Sequence, residues 1–173
     1  MLQEFVEEIR KTVNEECMGL HTALPAKVEA VRDGRVDARP YGKYRTSTGQ
    51  LLDWPVIPSV PVYMYQSGQA AVGLPVRAGD DCLLIIADCE LDSWLHGQAG
   101  QVANISLRHS LSNAVALPGL AKNNKLALEA AASGNVIVVS GGAKLAIGPA
   151  GVSIQGNLTV SGNITAGGTI SPR

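Results

Sequence analysis

Near its C-terminal end the chain repeats a unit of glycine, polar residue, aliphatic residue and hydroxyl residue: Gly156-Asn157-Leu158-Thr159, Gly162-Asn163-Ile164-Thr165 and Gly168-Thr169-Ile170-Ser171 recur every six residues. Looser versions lie upstream in the pairs Leu145/Ile147 and Val152/Ile154. Each unit reads as a short strand and a turn. Alternation gives every strand one apolar face, and a single copy supplies no second layer to cover it. Three identical chains wound about a common axis solve the problem, because each aliphatic residue then meets its own copies. The expected axis residues are Leu145, Ile147, Val152, Ile154, Leu158, Val160, Ile164 and Ile170. Gly156, Gly162 and Gly168 are expected at the corners, where the backbone takes conformations closed to other residues, rather than in a phosphate cradle. A closed β-helical prism of this kind removes free sheet edges and resists bending.

Composition agrees with thin, repetitive β-structure. Hydrophobic residues make up 46% of the 173, yet aromatic residues only 4%, and there are 19 glycines. The apolar content is aliphatic rather than the bulky kind that fills a large globular core. Charge is nearly balanced, with 14 basic against 15 acidic side chains. That leaves no excess to neutralise a phosphate backbone or an anionic membrane, so no specific nucleic-acid partner is expected. Met1 to Glu8 contain three glutamates and no basic leader region, and no apolar run approaches the roughly 18 residues of a membrane span. The expectation is a soluble protein made in the cytoplasm without a signal peptide. Cys17, Cys82 and Cys89 form no CxxC pair and read as free thiols.

Along the chain, residues 1–18 read as an amphipathic helix, with Leu2, Phe5, Val6, Ile9 and Val13 at helical spacing among glutamates and Gly19 ending it. The narrow stripe packs on the following domain, on copies of itself or on a neighbouring protein; Phe5, Ile9 and Val13 are the candidates for docking to a partner. Residues 19–107 read as an all-β domain with strands Ala26 to Val31, Arg35 to Arg39, Val60 to Tyr65, Ala70 to Pro75 and Cys82 to Asp88. Asp33-Gly34 marks a tight hairpin turn between the first two. Five strands in so short a stretch suggest a small barrel. Cys82 to Ala87 is continuously apolar, as in a strand buried on both faces or wrapped under a neighbour. Leu91 to Leu95 is expected as one helical turn plugging a barrel end, Tyr41 to Pro55 as the longest polar loop, residues 108–122 as an extended connector and residues 123–173 as the β-helical tail.

Several local motifs, in order, carry a family resemblance: His21-Thr22-Ala23-Leu24-Pro25-Ala26-Lys27-Val28, Pro58-Ser59-Val60-Pro61-Val62, Leu74-Pro75-Val76 with Gly79-Asp80-Asp81-Cys82-Leu83, and Arg108-His109-Ser110-Leu111-Ser112-Asn113-Ala114. With the hexad tail they resemble the membrane-puncturing central spikes of contractile phage tails. The resemblance implies a mainly β fold: an N-terminal helix, an OB-fold five-stranded barrel and a C-terminal triple-stranded β-helix formed by an intertwined homotrimer. It further implies a spike under the tail tube and hub of a phage or bacteriocin-type particle, driven through the target cell envelope on sheath contraction. Spikes of this kind often hold a metal at the apex through an His-x-His pair. Here no histidine follows His109, so no metal or other cofactor is expected, and the tip closes by packing or under a separate tip-cap protein.

The rival reading is an OB-type module that binds an oligosaccharide or single-stranded nucleic acid, with Trp54, Tyr63, Tyr65 and Trp94 as stacking surfaces. Catalysis is not expected: His21, His96 and His109 are scattered, no GxSxG, HExxH or P-loop spacing occurs, and a cysteine in so apolar a strand favours the unreactive thiol.

Overall fold

A computed structural model describes residues 2–46, 48–97, 107–120 and 124–170, and the chain divides into two compact units, Met1–Ala121 and Lys122–Arg173. The fold is mainly β with an N-terminal helix. In the first unit, helix α1 (Leu2–Met18) ends where the Gly19 N–H bonds the Glu16 carbonyl at 3.1 Å and the Leu20 N–H bonds that of Cys17 at 3.2 Å. Its apolar stripe is exposed, so among the described residues the helix does not lay that face on the domain that follows.

Strands β1 (Ala23–Arg32) and β2 (Arg35–Pro40) form a hairpin closed by Asp33 and Gly34, with φ of 49° and 73°. Positive φ at both central residues matches the right-handed twist of the flanking strands, which is why an Asp-Gly pair sits there. With β5 (Ile57–Pro61), β8 (Asp81–Ile86) and β9 (Ala114–Pro118) they make a five-stranded antiparallel sheet in the order β5-β2-β1-β8-β9.

Two register breaks curl this sheet. One falls between Val28 and Ala30 on β1, the other where β2 meets β5 between Val36 and Ala38. An extra residue on one strand of a pair bends it and increases the local twist. At the second break Ser59 adopts φ 58°; its N–H bonds Asp37 Oδ1 at 3.0 Å, and its carbonyl accepts from Arg35 Nη1 at 3.2 Å. The curl brings the sheet's edges together: Val62 forms a parallel bridge with Ala116, and the Tyr63 N–H bonds the Ala116 carbonyl at 2.8 Å. The result is a half-barrel around Ala26, Val28, Val36, Ala38, Ile57, Val60, Cys82, Leu84, Ile86, Ala114 and Ala116.

Several details differ from the sequence expectation. Strand β8 is not buried on both faces: Cys82, Leu84 and Ile86 enter the core, while Ile85 is 43% exposed. The fifth strand of the sheet is β9, from the stretch read as a connector, because Ala114 and Ala116 are small enough to close the core beside β8. Ala70 to Pro75 contributes instead β7 (Ala70–Val72), paired with β6 (Tyr65–Ser67) in a separate two-stranded ribbon. The expected polar loop is a second ribbon, β3 (Lys43–Arg45) with β4 (Leu51–Asp53), its turn held by the Thr46 N–H on the Gln50 carbonyl. Helix α2 (Asp92–Leu95) forms the expected turn, but it has no buried residue and Trp94 is 73% exposed, so among the described residues it does not plug the barrel end.

The second unit opens with a helix where only β-structure was expected. Helix α3 (Lys125–Ser133) is capped by Asn124, whose Oδ1 accepts from the Ala127 N–H at 2.9 Å, and is stopped by Gly134 at φ 66°. These are the two end signals a short alanine-rich helix needs. An antiparallel meander follows: β10 (Val136–Ser140), β11 (Ala143–Gly148) and β12 (Gly151–Gln155). Residues 157–170 run without a ladder partner among the described residues, bending at 161–162 and 167–168.

Candidate functional site

Residues directly opposite one another in an antiparallel pair project to the same face. On β11 and β12, Leu145 faces Ile154 and Ile147 faces Val152; on β10, Val138 faces Leu145 and Val136 faces Ile147. Six aliphatic side chains therefore share one face of a three-stranded sheet. Among the described residues that face is largely open: Val136 and Val152 are each 64% exposed, Val138, Ile147 and Ile154 are exposed as well, and Leu145 is partly buried. Four of these six are expected axis residues, and the register brings them together. Val136 and Val138 were missed, although the β-branched run Val136-Ile137-Val138-Val139 carried a strand signal.

The remaining expected axis residues, Leu158, Val160, Ile164 and Ile170, are exposed along the unladdered segment. Among the expected corner glycines, only Gly156 has a positive φ, 118°. Gly162 and Gly168 lie in the six-residue bends with open space where a Cβ would stand and no left-handed φ. They mark the bends by lacking a side chain rather than by an unusual backbone. Ser171, Pro172 and Arg173 lie outside the described residues.

Phe5, Ile9 and Val13 are exposed on α1, a helix with five glutamates against Arg10 and Lys11.

A cleft of about 610 Å³ lies between the end of α1 and the β3–β4 ribbon, lined among others by Glu15, His21, Tyr44, Arg45, Trp54 and Leu111. The Trp54 ring lies 5.2 Å from His21, edge on, and 4.8 Å from Tyr44. Its backbone is pinned to the half-barrel by Arg39, which donates from Nη1 to the Trp54 carbonyl at 2.9 Å and from Nε to Glu29 at 2.9 Å. Tyr63 and Tyr65 pack edge to face at 5.6 Å elsewhere, so the aromatic residues do not form one stacking platform.

His109 sits at φ 51° with Nε2 3.4 Å from Asp88 Oδ1, while Arg108 donates to Asp88 Oδ2 at 3.2 Å. The buried Asn113 ties the same turn, donating from Nδ2 to the Leu107 carbonyl at 2.8 Å. This knot holds the entry to β9. Burial pushes the Cys82 thiol up to about 11, with Asp81 adding to the effect. A thiol-reactive maleimide at pH 8 is expected to label Cys17, which is exposed, while Cys82 stays unlabelled until the protein unfolds. Mass spectrometry of the labelled native protein checks this, and rapid Cys82 labelling would contradict a closed core.

A protein-family model described as "Phage protein Gp138 N-terminal domain" matches residues 24–119, more than half of the chain. The matched stretch starts inside β1 and ends just after β9, so it covers the half-barrel and leaves α1 and the second unit outside. No curated protein matches the chain.

Proposed function

The chain belongs to the phage protein Gp138 N-terminal domain family, and on that premise we propose that it is a structural protein of a phage tail or a phage-tail-like bacteriocin, the trimeric central spike at the baseplate. One observation carries the reading. A six-residue aliphatic sheet face, followed by a six-residue repeat with exposed aliphatic residues, is largely open among the described residues and of a kind that identical copies cover. On this reading three chains wind their tails into a triple-stranded β-helix below an OB-type barrel. The strand order β5-β2-β1-β8-β9 and the bridge between its edges support that barrel type.

The work is mechanical and needs no catalytic group, metal or cofactor. The spike sits under the tail tube, Phe5, Ile9 and Val13 dock to the hub, and the tail is directed at the target cell envelope, with a separate cap protein at the tip where one is used. Sheath contraction drives it through. Stiffness is what such a part contributes, because every layer of an intertwined β-helix is hydrogen-bonded to the next.

The cleft beside Trp54 favours a second reading, a module binding an oligosaccharide through aromatic contacts. Glu15 and Arg45 on its walls cancel, which argues against single-stranded nucleic acid, whose binding sites pair stacking with positive charge.

The two readings part on oligomeric state. Light scattering on the full chain is expected to give three times the 18.0 kDa of one chain. A folded monomer at working concentration would remove the spike reading and leave the binding module.

A further inference from the structure

On the outside of an antiparallel half-barrel, strands ordinarily alternate apolar inward and polar outward. Three adjacent strands here break that rule in the same rows. Cys82, Leu84 and Ile86 of β8 point into the core, which turns Leu83 and Ile85 outward. The register sets Leu83 between Pro25 of β1 and Leu117 of β9, and Ile85 between Ala23 and Val115. Six apolar residues thus form two rows across β1, β8 and β9, with Ile85 exposed and Leu83, Val115 and Leu117 only partly covered. One row further along β8, Lys27 lies opposite Asp81.

We infer that these two rows are the surface through which the barrel of one copy packs on the barrels of its sister copies. The inference rests on the trimeric reading and deepens it by naming the contact. Electrostatics selects a second copy as the occupant. A contact between identical chains sets equal charges near one another, so a charged surface repels its own copy. Helix α1, with five glutamates against two basic residues, is such a surface. The two rows carry no formal charge, and their border offers Lys27 and Asp81, opposite signs that a rotated copy can pair. They also offer nothing to a phosphate backbone or an anionic membrane, since neither row holds a cation. The continuous apolar run Cys82 to Ile86 then has a reason: its even residues build the core of one barrel and its odd residues join barrels.

The test uses the full chain with Cys17 and Cys89 changed to serine. Ile85→Cys is compared with Gln66→Cys on the exposed β6 ribbon, reading maleimide labelling rates together with mass in solution. Position 85 is expected to react about 100-fold more slowly than position 66, since labelling at a packed contact waits for local opening. A trimer in which both positions react equally fast overturns the contact and leaves the trimeric reading standing. A monomeric full chain overturns the trimeric reading and the inference with it. As a second variant, Ile85→Glu is expected to lower the thermal midpoint of the trimer, whereas Gln66→Glu leaves it in place; equal midpoints for the two also overturn the contact.

Discussion

Ile147→Asp is expected to reduce the protein from three chains to one. Ile147 lies in the centre of the six-residue aliphatic face, opposite Val136 on one side and Val152 on the other, and it is exposed in the single chain. A carboxylate there costs an isolated chain little, since surface substitutions away from special features change stability by about 0.5 kcal/mol or less. In a threefold stack the same change buries three like charges around one axis with no cation to pair them. Each unpaired buried ion costs several kcal/mol, and the stack would carry three of them. Ser153→Asp is the control, because Ser153 pairs with Ala146 on the other face of the same sheet. That variant is expected to remain trimeric. Light scattering separates the two, and acidification adds a sign check. Burial raises a carboxylate's pKa, so the neutral form favours the associated state, and association of Ile147→Asp is expected to return as pH falls toward about 4. A trimer with an unchanged melting temperature at neutral pH would turn this face to solvent and take the spike reading away.

The shared face of the β11–β12 pair was legible in the sequence because its signal is local. Leu145/Ile147 and Val152/Ile154 sit at spacing two, and spacing two puts residues on one side of a strand whatever the strand pairs with. Which strands pair is a longer-range matter. The meander that sets Val136 and Val138 on the same face as the other four depends on turns at 141–142 and 149–150, and those turns decide the register. Helix α3 went unread for a different reason. Its alanines carry little hydrophobic pattern, so periodicity was silent. The signals lay at its ends instead, in the Asn124 side chain on the Ala127 N–H and in Gly134 at positive φ.

In the half-barrel, the Asp33-Gly34 hairpin was readable from two residues, since only a few residue types accept two successive positive φ values. Strand β9 was not. Ala114-Val115-Ala116-Leu117-Pro118 has weak strand propensity and reads as a link between domains. Its place is fixed by β8, where Leu84 faces Ala116 and Ile86 faces Ala114 across the sheet, and by the bridge to Val62. Ala70 to Pro75 shows the converse. Its alternation is as good as that of β9, yet Gly68 turns it back on Tyr65–Ser67, and the pair forms a ribbon outside the five-stranded sheet. Tertiary pairing decided both cases against local propensity.

Leu84→Ala follows from that pairing as the largest expected loss of stability in the first unit. Leu84 has 0% exposure on β8, between Leu24 of β1 and Ala116 of β9, and it is the largest side chain at the centre of a core otherwise built mainly of valines and alanines. Small neighbours on regular strands relax poorly into a gap, so the cost lies toward the upper part of the range of about 2–5 kcal/mol for a buried leucine cut to alanine. Against the roughly 5–15 kcal/mol that holds a typical domain, that is a large share of the half-barrel's stability. Leu83→Ala, one residue away on the outward face, is expected to cost the single chain far less. Urea unfolding followed by tryptophan fluorescence, through Trp54 beside the half-barrel, reads both variants. A large midpoint shift for Leu84→Ala and a small one for Leu83→Ala, measured where the chains are dissociated, supports a strand with one face in the core and the other kept for a partner. Equal shifts would mean that both faces of β8 are packed within one chain, and the outward rows would then have no copy left to meet.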